Sequence, residues 1–221
     1  MIHQKSFFLL IILLFTGLTY AQEGVQEDED YLEFNDRKNV VHGVYLGLNA
    51  QFGEIDGEPT YQGGLKVAYV ANQQFEVGFS GTFFYSVQDV FNSDLARDQD
   101  LIGAYGGLHL EPIFFSKSVV NLSFPLLIGA GAVGYVDDNF DDEDYELTED
   151  DVDAIFVLEP GVSMLFNVSR YLQLEAGVKY RFSNKIDLDF SPVSRINGFS
   201  AGIGVKVGVF NMGRNRYKKK I

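Results

Sequence analysis

Apolar residues recur at every second position along most of the chain. Near the C-terminus Phe199, Ala201, Ile203, Val205, Val207 and Val209 alternate with Ser200, Gly202, Gly204, Lys206 and Gly208. Successive side chains of a strand point to opposite faces, so this stretch predicts a strand with one greasy face and one small or polar face. Leu172, Leu174, Ala176, Val178, Tyr180 and Phe182 repeat the pattern against Gln173, Glu175, Gly177, Lys179 and Arg181. Six earlier segments do the same. Their apolar faces begin at Val44, Leu65, Phe75, Ile102, Val120 and Phe156 and run to Phe52, Tyr69, Tyr85, Leu110, Ala130 and Val168.

Eight strands follow, each near the ~9–11 residues that a tilted strand needs to cross a bilayer. An even number of antiparallel strands can close without an edge, as lipid requires. The predicted connections alternate in length. Glu54–Thr60, Val87–Gln99, Asp137–Asp153 and Asn184–Ile196 are the longer ones, while Ala71–Gln74, Ser116–Ser118 and Ser169–Arg170 are tight. Long external loops and short periplasmic turns give this rhythm, and eight strands then leave both termini periplasmic. The fold class expected is all-β, an eight-stranded antiparallel up-and-down transmembrane β-barrel. A soluble lipocalin-like barrel would carry the apolar face inside and the other face in water. The minor face is rich in Gly, Ser and Ala, a poor composition for a water-facing exterior, and this favours the membrane barrel.

The ends divide the chain further. Lys5, the apolar run Phe7–Phe15 and Thr19-Tyr20-Ala21 read as a signal peptide over 1–21, cleaved after Ala21. The run is short for a spanning helix, which takes ~20 residues. An acidic periplasmic leader over 22–39 contains Glu23, Glu27, Asp28, Glu29 and Asp30, the barrel spans 40–210, and a basic periplasmic tail over 211–221 contains Arg214, Arg216, Lys218, Lys219 and Lys220. Leu122–Val136, the longest later apolar stretch, is broken by Pro125 and by glycines. With no Cys, the chain has no disulfide, thiolate nucleophile or Cys-based metal site. Its net charge of −14 argues against nucleic acid as a partner.

Placing the polar face inward puts Glu76, Glu111, Glu159 and Glu175 in the lumen with Lys66, Lys179, Arg181 and Lys206. An eight-stranded barrel is only wide enough for its own side chains, and unpaired charges there are costly. The balance of acids and bases predicts an ion-pair network that closes the lumen. The alternative is a gated proton or ion path, making the protein a narrow channel or transport accessory. Asp137–Asp153 holds eleven acids and no Lys or Arg. Asp141, Asp142, Asp144, Asp150 and Asp151 are candidate ligands for divalent cations, including those that bridge lipopolysaccharide. The spacing is not that of an EF-hand, and a solvated, self-repelling loop is the plainer reading. His109 and Glu111 share the inward face and read as part of a lumen hydrogen-bond network rather than a catalytic dyad; no motif marks a nucleophile, so a lipid-modifying enzyme is the least favoured alternative. The expectation is therefore a non-enzymatic barrel without cofactors, in contact with outer-membrane lipid and lipopolysaccharide, with a structural or surface-interaction role.

Four stretches, "GGLHLEPIFF", "NLSFPLLIGAGAVGY", "LEPGVSMLFNVSRYLQLEAGVKYRFS" and "GFSAGIGVKVGVF", resemble the outer-membrane β-barrel proteins of flavobacteria and their relatives, a group near the small OmpA/OmpX-like barrels. The resemblance runs from about Val40 to Phe210. It implies the barrel fold and an outer-membrane location, and it implies no particular activity.

Overall fold

The computed structural model describes residues 41–92, 97–116, 118–137, 152–188 and 191–212. The segments read as signal peptide and leader, the tail beyond Met212 and the acidic run containing Asp141, Asp142, Asp144, Asp150 and Asp151 lie outside the described residues.

Nine strand segments make an antiparallel sheet: β1 His42–Ile55, β2 Glu58–Ala71, β3 Phe75–Asn92, β4 Arg97–Phe114, β5 Val120–Ser123, β6 Leu126–Asp137, β7 Val152–Asn167, β8 Leu172–Ser183 and β9 Gly198–Met212. Apart from β5 and β6, each pairs with its neighbour in the chain, and β9 returns to pair with β1, so the sheet closes. Segments β5 and β6 are two halves of one stave. Both lie between β4 and β7, and the break falls at Phe124–Pro125, where proline has no N–H to give the ladder. The barrel therefore has eight staves.

Its faces are inverted relative to a soluble protein. Phe79 and Ile203 point outward, 71% and 70% exposed, whereas Lys206 and Arg181 point inward and are each 1% exposed. Large apolar side chains cover the outside of every stave, among them Leu48, Leu65, Leu108, Phe156, Leu174 and Val205. Exposing that much contiguous apolar surface to water opposes the hydrophobic effect, and a bilayer removes the cost.

Two expected loops are shorter than the sequence reading gave. Glu54–Thr60 is a two-residue hairpin, with Asp56 at φ 54° and Gly57 at φ 90°. Positive φ at both central residues is the turn whose twist matches paired strands, and Asp-Gly is its usual sequence. Val87–Gln99 is mostly strand, because β3 and β4 continue as a hairpin past an irregularity between Ser86 and Val90. Asp89 sits there at φ 46°. The Asp100 carboxylate holds the irregularity, accepting from the backbone N–H groups of Gln88 (2.8 Å) and Asp89 (3.3 Å) and from the Tyr85 hydroxyl.

The fourth connection, Asn184–Ile196, was expected to be an external loop. The structure folds it back into the barrel mouth. Ile186, Val193 and Ile196 are buried against Ile55, Phe84, Leu101, Tyr135, Ile155 and Val157. The Arg181 guanidinium donates to the Ile196 carbonyl (2.7 Å), Arg195 donates to the Ser183 carbonyl (2.9 Å), and the Ser183 N–H donates to the Asn197 side chain (2.7 Å).

Candidate functional site

The lumen is layered along the barrel axis. Nearest the tight turns, Val70 and Ala68 pack with Tyr45, and Phe210 stacks on the Tyr45 ring at 5.6 Å. The Tyr45 hydroxyl donates to Glu76 and so leads into the first charged layer.

That layer is built on Lys206 and Lys66. The Lys206 ammonium lies 2.9 Å from Glu76 Oε2, 3.1 Å from Glu111 Oε2 and 3.6 Å from Glu175 Oε2. Lys66 lies 3.2 Å from both Glu111 and Glu175. These residues come from β2, β3, β4, β8 and β9, so each lysine reaches across the lumen rather than along its own wall. Glu76 and Glu111 are direct cross-strand partners. Like charges so placed repel, and Lys206 offsets this by touching both. His109 Nε2 lies 2.9 Å from Glu111 Oε2 and 4.0 Å from Glu76 Oε2. Ser163 donates to Glu175 Oε1 at 3.2 Å. A Cβ at Gly177 would fall 2.3 Å from Ser163 Oγ, so glycine there makes room for that contact.

A second layer lies toward the loop end. Lys179 is 3.2 Å from Glu159 Oε1, and the Tyr105 hydroxyl donates to Glu159 Oε2 at 2.5 Å. The Arg181 guanidinium sits over the rings of Phe84 (5.3 Å) and Tyr105 (5.8 Å). Above this layer comes the apolar plug of Ile186, Val193 and Ile196.

The structure thus places all eight charges singled out in the sequence inside the barrel, in two groups. Glu76, Glu111, Glu175, Lys66 and Lys206 meet in the first; Glu159, Lys179 and Arg181 meet in the second. The sequence reading did not assign Tyr45 and Tyr105 to the network, although both share the inward face. His109 joins the first group through Glu111.

Glu76, His109 and Glu111 bring three potential metal ligands within 4.8 Å of one another. Lys206 already lies against both carboxylates, so an ammonium supplies the positive charge that a metal ion would bring. His109 Nε2 faces these two carboxylates.

At the turn end a half-open vestibule of about 340 Å³ lies between the three tight turns. Gln73 enters it from the first turn, Ser116 and Ser118 from the second, and Ser169 and Arg170 from the third.

No protein-family model matches the chain, and no curated protein matches it in sequence. Solved structures of bacterial surface and outer-membrane proteins resemble it. Neisserial surface protein A is 15% identical, with 75% of this chain and 96% of that one covered and a TM-score of 0.48. Ail, the attachment invasion locus protein of Yersinia pestis, in complex with the heparin analogue sucrose octasulfate, is 17% identical over 77% of this chain and 99% of that one, with a TM-score of 0.44. The outer membrane protein OprG from Pseudomonas aeruginosa is 12% identical over 76% and 94%, with a TM-score of 0.40.

Proposed function

We propose that the chain is an integral outer-membrane barrel that does not conduct, and that it acts through what its external end presents to the surroundings. The observation that carries this reading is the pair of cross-lumen lysines. Lys206 on β9 reaches acids on β3, β4 and β8, and Lys66 on β2 reaches acids on β4 and β8. Side chains that join opposite walls fill the bore, and a hydrated solute could pass only by breaking several buried ion pairs. The apolar plug of the β8–β9 connection closes the same path a second time. In this reading both termini are periplasmic, the apolar belt contacts outer-membrane lipid, and the acidic external loop faces lipopolysaccharide and its divalent cations. The protein is not an enzyme, because His109 and Glu111 are members of the ion-pair network.

The test is single-channel conductance of refolded, inserted protein in a planar bilayer. No discrete steps are expected. Reproducible steps would overturn the closed-barrel reading and favour a narrow channel.

A further inference from the structure

We propose that the lumen binds one water molecule between its two charged layers, and that this water joins them into a single hydrogen-bonded column. The proposal rests on the closed-barrel reading, in which those layers fill the bore.

The first argument is charge. The layer nearer the turns sets Glu76, Glu111 and Glu175 against Lys66 and Lys206, an excess of one negative charge with the imidazole set aside. The layer nearer the loops sets Glu159 against Lys179 and Arg181, an excess of one positive charge. Opposite excess charges attract, and buried ones are screened little by solvent ions. Yet among the described residues no direct ion pair joins the layers. Glu175 meets Lys66 and Lys206, and Lys179 meets Glu159. Glu175 and Lys179 stand on the inward face of β8, on either side of Gly177, and both border one small cavity.

The second argument is space. About 10 Å³ of that cavity is open to the centre of a water molecule, which is room for one water and for no larger ligand. Asn49, Gln51, Ser163 and Gly204 share its walls, and every lining residue belongs to β1, β7, β8 or β9. Lys179 and Glu175 are 14% and 11% exposed, whereas the other six lumen charges are at most 3% exposed. The accessible charge of the lumen is therefore gathered at this cavity. Gly204 keeps it open. A Cβ at Gly202 would fall 2.3 Å from the Ala50 carbonyl oxygen, so the sheet itself requires that glycine. A Cβ at Gly204 would meet nothing nearer than 3.2 Å, a contact that a small shift absorbs, and would enter the cavity.

The third argument is chemistry. A carboxylate only accepts hydrogen bonds and an ammonium only donates them. A monatomic cation would meet Lys179 and a monatomic anion would meet Glu175, so each is repelled from one side. Water suits both. It accepts from Lys179, whose three hydrogens serve one acid among the described residues. It donates to Glu175 Oε1, which Ser163 also reaches at 3.2 Å. Asn49, whose oxygen accepts from Gln51 Nε2 (2.9 Å), offers its amide N–H as a third contact, and about three hydrogen bonds are usual for buried water. The column then runs from Tyr45 through Glu76, Lys206, Glu175, the water, Lys179 and Glu159 to Tyr105.

The experiment is crystallography of the barrel in a lipid mesophase, at a resolution that shows ordered water, for the wild type and for Gly204→Ala. The wild type is expected to show one density peak about 2.7–3.2 Å from both Lys179 Nζ and Glu175 Oε1. The added methyl is expected to abolish the peak and leave the strands in place. Should Gly204→Ala fail to fold, Asn49→Leu puts apolar branches in the same wall and removes one donor. A double-variant cycle of Glu175→Gln and Lys179→Met, read by guanidinium unfolding from lipid vesicles, is expected to show coupling of at least about threefold in the unfolding equilibrium constant. No density in the wild type, a Lys179 turned directly onto Glu175, a peak that persists beside the methyl, or additive variants would each overturn the proposal. If the density is absent while the bilayer stays electrically silent, the water falls and the closed barrel stands. Conducting steps would remove the closed barrel whatever the density shows.

Discussion

Replacing Lys206 by methionine tests whether the buried ion pairs hold the barrel together. The first charged layer contains Glu76, Glu111 and Glu175 against Lys66 and Lys206, a net −1 with the imidazole set aside. Removing Lys206 leaves three carboxylates around one ammonium, a net −2. Among the described residues Glu76 then has no lysine within ion-pair distance, since Lys66 reaches Glu111 and Glu175. It also faces Glu111 across the strand pair without the ammonium that separated them. Breaking a buried ion pair by deleting one partner costs about 3–5 kcal/mol, chiefly because a charge is left uncompensated. Lys206→Met should lose that much in equilibrium unfolding by guanidinium from lipid vesicles. The chain has no Trp, so circular dichroism is the signal. Adding Glu76→Gln restores the net charge to −1, and the double variant should be more stable than Lys206→Met alone. A loss below about 1 kcal/mol, the value of an exposed ion pair, would refute the reasoning. So would a double variant less stable than the single.

Three other outcomes are expected. Ile203→Arg, on the outward face of β9, should cost about 2–4 kcal/mol in the same unfolding measurement, as arginine does near the bilayer midplane. Ile196→Ala, which thins the apolar plug, should cost about 2–5 kcal/mol and make the Asn184–Asn197 segment faster to cleave by added protease. Gly57→Ala, at φ 90°, should cost about 1–2 kcal/mol, measured by the shift in the unfolding midpoint.

The period of two carries the face of every stave in the sequence, since burial inverts it without changing its phase. What the period does not carry is height along the axis. Lys66 has Gly47 and Ser80 as its strand neighbours, and its acids come from β4 and β8. Those partners depend on how far the strands are staggered around the barrel, which no single strand records. Glu76 and Glu111 fall opposite each other, a pairing that local rules disfavour and that only the distant Lys206 makes acceptable. The first hairpin was legible in Asp56-Gly57, but the polar residues around it read as loop. The β3–β4 extension was hidden because the irregularity at Asp89 breaks the alternation. The plug was hidden for a different reason. Ile186, Val193 and Ile196 do not follow the period of two, and Pro192 interrupts them, so their burial depends on the mouth they enter.

The inverted faces can be measured directly, because the chain contains no Cys and single cysteines report without interference. Cysteine replaces Leu48 or Ile203 on the outward face and Ser80 or Ser200 in the lumen, and each variant is refolded into vesicles. A fluorophore on the Leu48 or Ile203 site should be strongly quenched by brominated lipid tails, and the unlabelled cysteines there should resist a water-soluble maleimide. The Ser80 and Ser200 sites should resist the aqueous reagent as well, being enclosed by the network. Rapid aqueous labelling at the Leu48 and Ile203 sites, with no quenching by lipid, would contradict a membrane-spanning barrel with a filled lumen.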